Sequence, residues 1–99
     1  MVALLNAEDV EAGLATLNGW TGDTSEIRRS YAAPDFPAAI RLVDAVAVAA
    51  EELNHHPDID IRWRTVHFTI STHSAGGVTG LDLDLAARID TAAANLGAA

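Results

Sequence analysis

A change in apolar alternation between residues 59 and 70 constrains the fold more than any other feature of the sequence. The alternating residues are odd-numbered in the first half and even-numbered in the second: Ile59, Ile61, Trp63, Val66, Phe68 and Ile70. A period of two is typical of strands with one buried face, so the change of parity predicts a hairpin turning at Arg64–Thr65. An even-numbered loop then gives three apolar cross-strand pairs: Trp63 with Val66, Ile61 with Phe68, and Ile59 with Ile70.

This register also assigns the two faces of the hairpin. Ile61 and Phe68 are expected on a buried face, and Arg62 and His67 on the opposite one, because a slip by one residue would bury polar side chains. The same register carried outward sets His56 opposite His73, with their Cβ atoms about 5 Å apart.

Capping patterns predict three helices around two strand pairs. Asn6 with Asp9 opens a first helix that should end at Gly19, and Asp35 opens a second that runs to about Asn54. A short segment at Trp20 and a longer one from residue 26 to 33 read as the first strand pair. Thr79 with Asp82 is a capping box that opens the last helix.

The resulting order is α-β-β-α-β-β-α in a single domain spanning residues 1–99. We predict an α+β fold in which three helices cover one face of a four-stranded antiparallel sheet. The second helix has an apolar arc wider than one sheet face requires, so part of it is expected to contact another subunit in a homodimer or homotetramer.

Charge and hydropathy exclude two classes of partner. Fourteen acidic against six basic side chains give a net charge of −8, which opposes binding to nucleic acid. The longest apolar run, residues 45–50, is too short to cross a membrane, and the N-terminus lacks a basic targeting segment. We expect a soluble, cytoplasmic protein.

The candidate functional residues are histidines that the predicted fold brings together. His55 and His56 end the second helix, and His73 ends the last strand. Glu51 lies one helical turn before His55 and is expected to hold its ring, and the helix C-terminus favours the charged imidazolium. Because imidazole titrates near neutrality, such a cluster can hold one ring charged as an acid and another neutral as a base.

Several of these residues have other interpretations. His and Glu are zinc ligands, but adjacent histidines before Pro57 diverge, so we predict no metal. Asp82 is explained by its capping box, which leaves a direct chemical role as the lesser alternative. His67 reads as a solvated sheet residue, and Trp63 as core or pocket wall.

The spacing of these residues resembles a known family. Glu51, His55-His56-Pro57, Trp63, His73 and Asp82 match the signature of the pterin-4a-carbinolamine dehydratases, and weaker similarity covers nearly the whole chain. This family eliminates water from 4a-hydroxytetrahydropterins to give quinonoid dihydropterin, without a metal or bound cofactor. The chain departs from the family pattern at two places, which bear on loop shape and substrate preference. Ser74-Ala75 stands where many relatives have an acidic residue followed by cysteine, and Gly76-Gly77 stands in place of Ala-Gly.

The resemblance implies a small-molecule pterin substrate and a set of site residues. His55, His56 and His73 would be catalytic, with Glu51 and Asp82 in support. The implied pterin contacts are Asn54, His55, His56, Ser71, Thr72, His73 and Ser74. A non-catalytic pterin-binding or protein-assembly module on the same fold is the alternative, because the presence of the histidines does not by itself establish turnover.

Overall fold

A computed structural model describes residues 3–99 of the protein. Within this range the chain forms three helices and four strands in the predicted order. They are α1 (Ala7–Ala15), β1 (Thr21–Gly22), β2 (Ile27–Ala32), α2 (Phe36–Leu53), β3 (Asp58–Arg62), β4 (Thr65–Ile70) and α3 (Gly80–Asn95). A 3₁₀ turn, His73–Ala75, joins β4 to α3. The predicted α+β class and element order are confirmed.

Each helix begins where its capping residue predicts. The Asn6 side chain accepts from the backbone N–H of Asp9, and the Asp35 side chain accepts from that of Ala38, both at 2.8 Å. Thr79 and Asp82 form a complete capping box at the start of α3. These bonds satisfy amide groups that a helix leaves unpaired in its first turn.

Helix α1 is shorter than predicted, because it ends at Ala15 and not at Gly19. The chain tightens after Ala15, where Thr16 donates to the Gly13 carbonyl at 3.1 Å and Leu17 to the Leu14 carbonyl at 3.0 Å. These are bonds of the 3₁₀ type, which commonly finish an α-helix. Gly19 therefore lies in the segment that connects α1 to β1.

The sheet is antiparallel with the strand order β1-β2-β4-β3. Its hairpin differs from the predicted register, because Ile59 pairs with Phe68 and Ile61 with Val66. The predicted pairs of Trp63 with Val66, Ile61 with Phe68 and Ile59 with Ile70 are therefore wrong by two residues. A register shift of two residues leaves each side chain on its predicted face of the sheet. Phe68 is accordingly buried and Ile61 half-buried, whereas Arg62 and His67 lie on the opposite face.

The turn of the hairpin is Trp63–Arg64, one residue earlier than predicted. Trp63 has a φ of 55° and is 75% exposed, so its assignment to the core or a pocket wall is wrong. Arg64 anchors the turn to the end of β2, since its carbonyl accepts from the Ala33 N–H at 2.9 Å and its guanidinium donates to the Ala33 carbonyl at 3.2 Å. Apolar matching alone could not distinguish the two registers, because both oppose apolar residues.

The core lies between the helices and one face of the sheet. Its largest fully buried side chains come from β2, α2, β4 and α3, among them Tyr31, Phe68, Ile27, Leu42, Ile70, Leu85 and Ile89. Tight packing of such aliphatic and aromatic groups provides most of the burial energy of a small domain.

A carboxylate on α3 ties this helix to β2. Asp90 accepts hydrogen bonds from Trp20 Nε1 and Arg29 Nη1, each at 2.9 Å, and a short one from the Tyr31 hydroxyl. Burial, together with the Asp90 carboxylate, raises the pKa of the Tyr31 hydroxyl. This cluster holds the middle of α3 against the sheet.

Candidate active site

His55 is positioned by the way α2 ends. Asn54 adopts the left-handed conformation with a φ of 48°, and the His55 N–H then returns to the Ala50 carbonyl at 2.9 Å. This backbone closure is typical of helix C-termini, and asparagine adopts it more readily than most residues. It turns the His55 side chain inward, where the residue is only 8% exposed.

The partner of the His55 ring is Asp82, in the first turn of α3. His55 Nε2 lies 2.5 Å from Asp82 Oδ1, and the Asp82 residue is fully buried. The other carboxylate oxygen accepts from the Thr79 N–H at 2.7 Å and from the Thr72 hydroxyl at 2.8 Å. The carboxylate thus has three partners, which compensate the cost of burying it.

The chemistry of these partners fixes the hydrogen-bond directions. Ionised Asp82 can only accept, so Thr72 donates to it, and the Thr79 hydroxyl, 2.7 Å from that of Thr72, must donate in turn to Thr72. For the same reason His55 Nε2 carries a hydrogen whether the ring is neutral or charged. The nitrogen of His55 that is left without a hydrogen bond to Asp82 is therefore Nδ1.

Nδ1 is also the nitrogen available to a bound molecule. Within residues 3–99, every buried side-chain nitrogen or oxygen has a hydrogen-bond partner. No hydrogen bond to His55 Nδ1 is found in that range, and His55 lines the cavity described below, so this nitrogen is left for a bound molecule. A carboxylate that orients an imidazole through one nitrogen and leaves the other free is a recurrent arrangement for proton transfer.

The predicted contact between Glu51 and His55 is wrong. Glu51 instead pairs with His56, whose Nε2 lies 2.5 Å from the Glu51 carboxylate. The left-handed conformation of Asn54 explains the exchange, because it breaks the helical spacing that would have stacked His55 over Glu51. The side chains of Glu51 and His56 are 75% and 58% exposed, so solvent weakens this pair.

The predicted pairing of His56 with His73 across the hairpin is also wrong. Strand β3 begins at Asp58 and β4 ends at Ile70, so both histidines lie outside the ladder. His73 begins the 3₁₀ turn, one residue after Thr72. It is therefore at the same corner of the molecule as His55, because its chain neighbour Thr72 donates to Asp82, the partner of His55.

A cavity of about 710 Å³ opens at this corner. Its polar lining comes from the end of α2 and the segment after β4: Asn54, His55, Thr72 and Ser74. Its apolar lining is Leu4, Ala75 and Leu81. The volume is in the range of small-molecule sites.

Four of the predicted site residues line this cavity, and the others lie around or away from it. His56 and His73 are exposed neighbours of lining residues. The Ser71 hydroxyl donates to the Ser25 carbonyl at 2.7 Å, and Ser71 is outside the lining. Within residues 3–99 no three His, Asp or Glu side chains form a group suited to a metal ion.

Sequence reasoning missed the coupling of Thr72 and Asp82 to His55. The capping box accounted for Asp82, but a capping carboxylate has a second oxygen, and its partner depends on which elements meet at the helix start. Leu4 was also missed, because no spacing pattern connects it to the histidines.

Fold and site together define a small α+β protein with a buried carboxylate–imidazole pair at the wall of a cavity. The sequence profile described as "Pterin 4 alpha carbinolamine dehydratase" matches residues 3–92. The chain belongs to the pterin-4a-carbinolamine dehydratase family, as the sequence predicted.

Named relatives agree with this assignment. The chain is 61% identical over 87 residues to a pterin-4-alpha-carbinolamine dehydratase, so named, of Nocardia farcinica, covering 88% of this chain and 92% of the relative. A protein of the same name from Roseiflexus castenholzii is 56% identical over 90 residues, covering 91% and 97%.

Solved structures show the same architecture. The crystal structure of a transcriptional coactivator/pterin dehydratase from Brucella melitensis has a TM-score of 0.87 at 33% identity, covering 90% of this chain and 97% of that one. A pterin dehydratase-like RuBisCO assembly factor of the alpha-carboxysome has a TM-score of 0.61 at 24% identity, covering 75% and 86%, and shows a likeness of fold alone. In the described part of the chain, no helix has the length and apolar character of a membrane span.

Proposed function

We propose that the protein is a hydro-lyase that removes water from 4a-hydroxytetrahydropterin. In this reaction the C4a–OH bond breaks, N5 loses its proton, and a C4a=N5 double bond forms, giving quinonoid dihydropterin and water. The chemistry needs a base near N5 and an acid near the hydroxyl. The observation that carries the proposal is the His55–Asp82 pair at the wall of a cavity in a member of this family.

We assign the base to His55. Its Nε2–H is committed to Asp82, and its open Nδ1 can accept the N5 proton. The buried carboxylate stabilises the imidazolium that results, as in other Asp–His pairs. Thr72 and the Thr79 amide hold that carboxylate in place, and so act as positioning groups.

We assign the acid to His73, which would protonate the departing hydroxyl. It is exposed at the start of the 3₁₀ turn, where it can exchange protons with solvent between turnovers. His56, paired with Glu51 at the rim, would orient the substrate. Asn54, Thr72 and Ser74 offer polar groups for the pterin edge.

A stopped-flow dehydration assay on freshly generated 4a-hydroxytetrahydropterin tests the proposal. General acid–base groups contribute about 100- to 10,000-fold, so His73→Ala should lose most of the acceleration while remaining folded. His67→Ala is the matched control, since its ring bonds to Ser30 on the open sheet face and should leave the rate unchanged.

Two results would oppose the proposal. Unchanged turnover in a folded His73→Ala variant would refute the assignment of the general acid to His73. Binding of a stable pterin by the wild type without any acceleration would favour the alternative, a non-catalytic pterin-binding or assembly module.

We also propose a homo-oligomer formed through α2. Phe36, Ile40 and Val48 are 48%, 38% and 62% exposed on this helix. Burying such side chains in a symmetric interface would remove apolar surface from water.

A further inference from the structure

The face of the sheet opposite the helices carries a second group of side chains suited to chemistry. Ser30 of β2 is the cross-strand partner of His67 of β4, and Asp60 of β3 is the partner of His67 on the other side. Cross-strand partners point to the same face of a sheet, with Cβ atoms about 5 Å apart. The register therefore places a hydroxyl, an imidazole and a carboxylate in one row across three strands.

The Ser30 hydroxyl is in contact with the His67 ring. Ser30 Oγ lies 2.5 Å from His67 Nδ1, within hydrogen-bond distance. When the neutral ring carries its hydrogen on Nε2, Nδ1 accepts from the hydroxyl. This is the arrangement in which an adjacent base activates a serine nucleophile. Ser30 is exposed, so a molecule on the open face of the sheet can reach its oxygen.

A cavity of about 280 Å³ opens beside this pair, at the lower end of the range for small-molecule sites. Ser30 and His67 both line it, together with Arg28, which lies two residues before Ser30 and on the same face of β2. Arg28 pairs with the Glu26 carboxylate at 3.6 Å, but both side chains are about half exposed, so solvent weakens this pair. A cation is thus available near the nucleophile, where it can stabilise negative charge on an acyl oxygen.

We infer that Ser30 is a nucleophile that accepts the acyl group of small activated esters, with His67 as its general base. Ser30 Oγ forms a bond to the acyl carbon while its proton passes to His67 Nδ1. The bond from the acyl carbon to the leaving oxygen then breaks, and His67 returns the proton to that oxygen. The products are acyl-Ser30 and the free alcohol, and nothing is oxidised or reduced. Asp60 accepts from Arg62 Nε at 3.2 Å, so it acts on the charged His67 ring as a nearby negative charge.

The experiment treats the wild-type protein with p-nitrophenyl acetate and follows acetylation of each serine by peptide mass spectrometry. Ser25 is the internal comparison, because it is exposed like Ser30 but its hydroxyl donates to the Asp23 carboxylate at 2.6 Å. Hydrogen bonds from Ser25 lower the pKa of Asp23, so this carboxylate is a weak base. We expect Ser30 to be acetylated about 100-fold faster than Ser25, the lower end of the contribution of a general base. His67→Gln should remove this advantage.

Ser25→Ala is the matched control variant, and it should leave acetylation of Ser30 unchanged. Neither Ser30 nor His67 lines the cavity beside His55, so Ser30→Ala and His67→Gln should keep the rate of pterin dehydration. Circular dichroism confirms that each variant is folded. Acetylation of wild-type Ser30 no faster than that of Ser25 would overturn the inference. So would an unchanged rate at Ser30 in folded His67→Gln, or an acetyl group on His67 with Ser30 unmodified.

Discussion

Replacing Asp82 by asparagine tests how the buried carboxylate controls His55. In Asp82→Asn the amide oxygen can still accept from the Thr79 N–H and the Thr72 hydroxyl, at the positions of the present 2.7 and 2.8 Å bonds. The amide nitrogen then faces His55 Nε2, and it can only donate. The neutral imidazole must then carry its hydrogen on Nδ1 and accept at Nε2. It no longer presents a basic nitrogen to the cavity.

The expected loss can be worked out from these contacts. Removing a general base lowers kcat by about 100- to 10,000-fold. Three charge-assisted hydrogen bonds become neutral, each weaker by roughly 1 kcal/mol, and a lower desolvation cost offsets part of this. A net destabilisation of about 1–2 kcal/mol corresponds to a fall of roughly 5–15 °C in Tm for a domain of this size.

Thermal melts and stopped-flow dehydration measure both effects on the same protein. Asp90→Asn is the matched control, because Asp90 is on the same helix and also accepts three side-chain hydrogen bonds, from Trp20, Arg29 and Tyr31. It should lower Tm but keep kcat. If folded Asp82→Asn retains kcat within threefold of the wild type, the assigned role of the His55–Asp82 pair is refuted.

Three further predictions concern stability, metals and assembly. Burial and Asp90 raise the pKa of Tyr31, so the folded protein keeps a proton that an unfolded tyrosine loses near pH 10. The contribution of Tyr31 to the free energy of unfolding should therefore be fully present below about pH 10 and should fall as the pH rises above it. Tyr31→Phe should remove this pH dependence in melts between pH 8 and 11. Equal pH dependence in the wild type and the variant would contradict the reasoning. EDTA should leave turnover unchanged, and loss of turnover with rescue by zinc would revive a metal site. Sedimentation at micromolar concentration should show a dimer or larger species that Val48→Asp weakens, whereas a monomeric wild type would refute the interface on α2.

Local rules predicted the helix starts and the faces of the sheet. Asn6, Asp35 and Thr79 each cap a helix because a short polar side chain is available where the amides need a partner. The parity change in the hairpin identified the buried face because side chains alternate with a period of two along a strand. Both are short-range properties that the order of residues specifies.

The contacts of the site depended on geometry that no such rule contains. The left-handed Asn54 redirected His55 from Glu51 to Asp82, and a single backbone conformation decided between these carboxylates. The register was wrong by two because two apolar alignments were equivalent, and the anchoring of Arg64 to Ala33 distinguishes them. The His55–Asp82–Thr72 network could be found only once α3 was placed against the end of α2.

The central claim is that this protein catalyses dehydration at the cavity beside His55. A single-turnover stopped-flow measurement, with protein in excess over freshly generated 4a-hydroxytetrahydropterin, tests it most directly. We predict a first-order dehydration rate that rises with protein concentration to a plateau at least about 100-fold above the spontaneous rate. A rate equal to the spontaneous one at every protein concentration would contradict the claim.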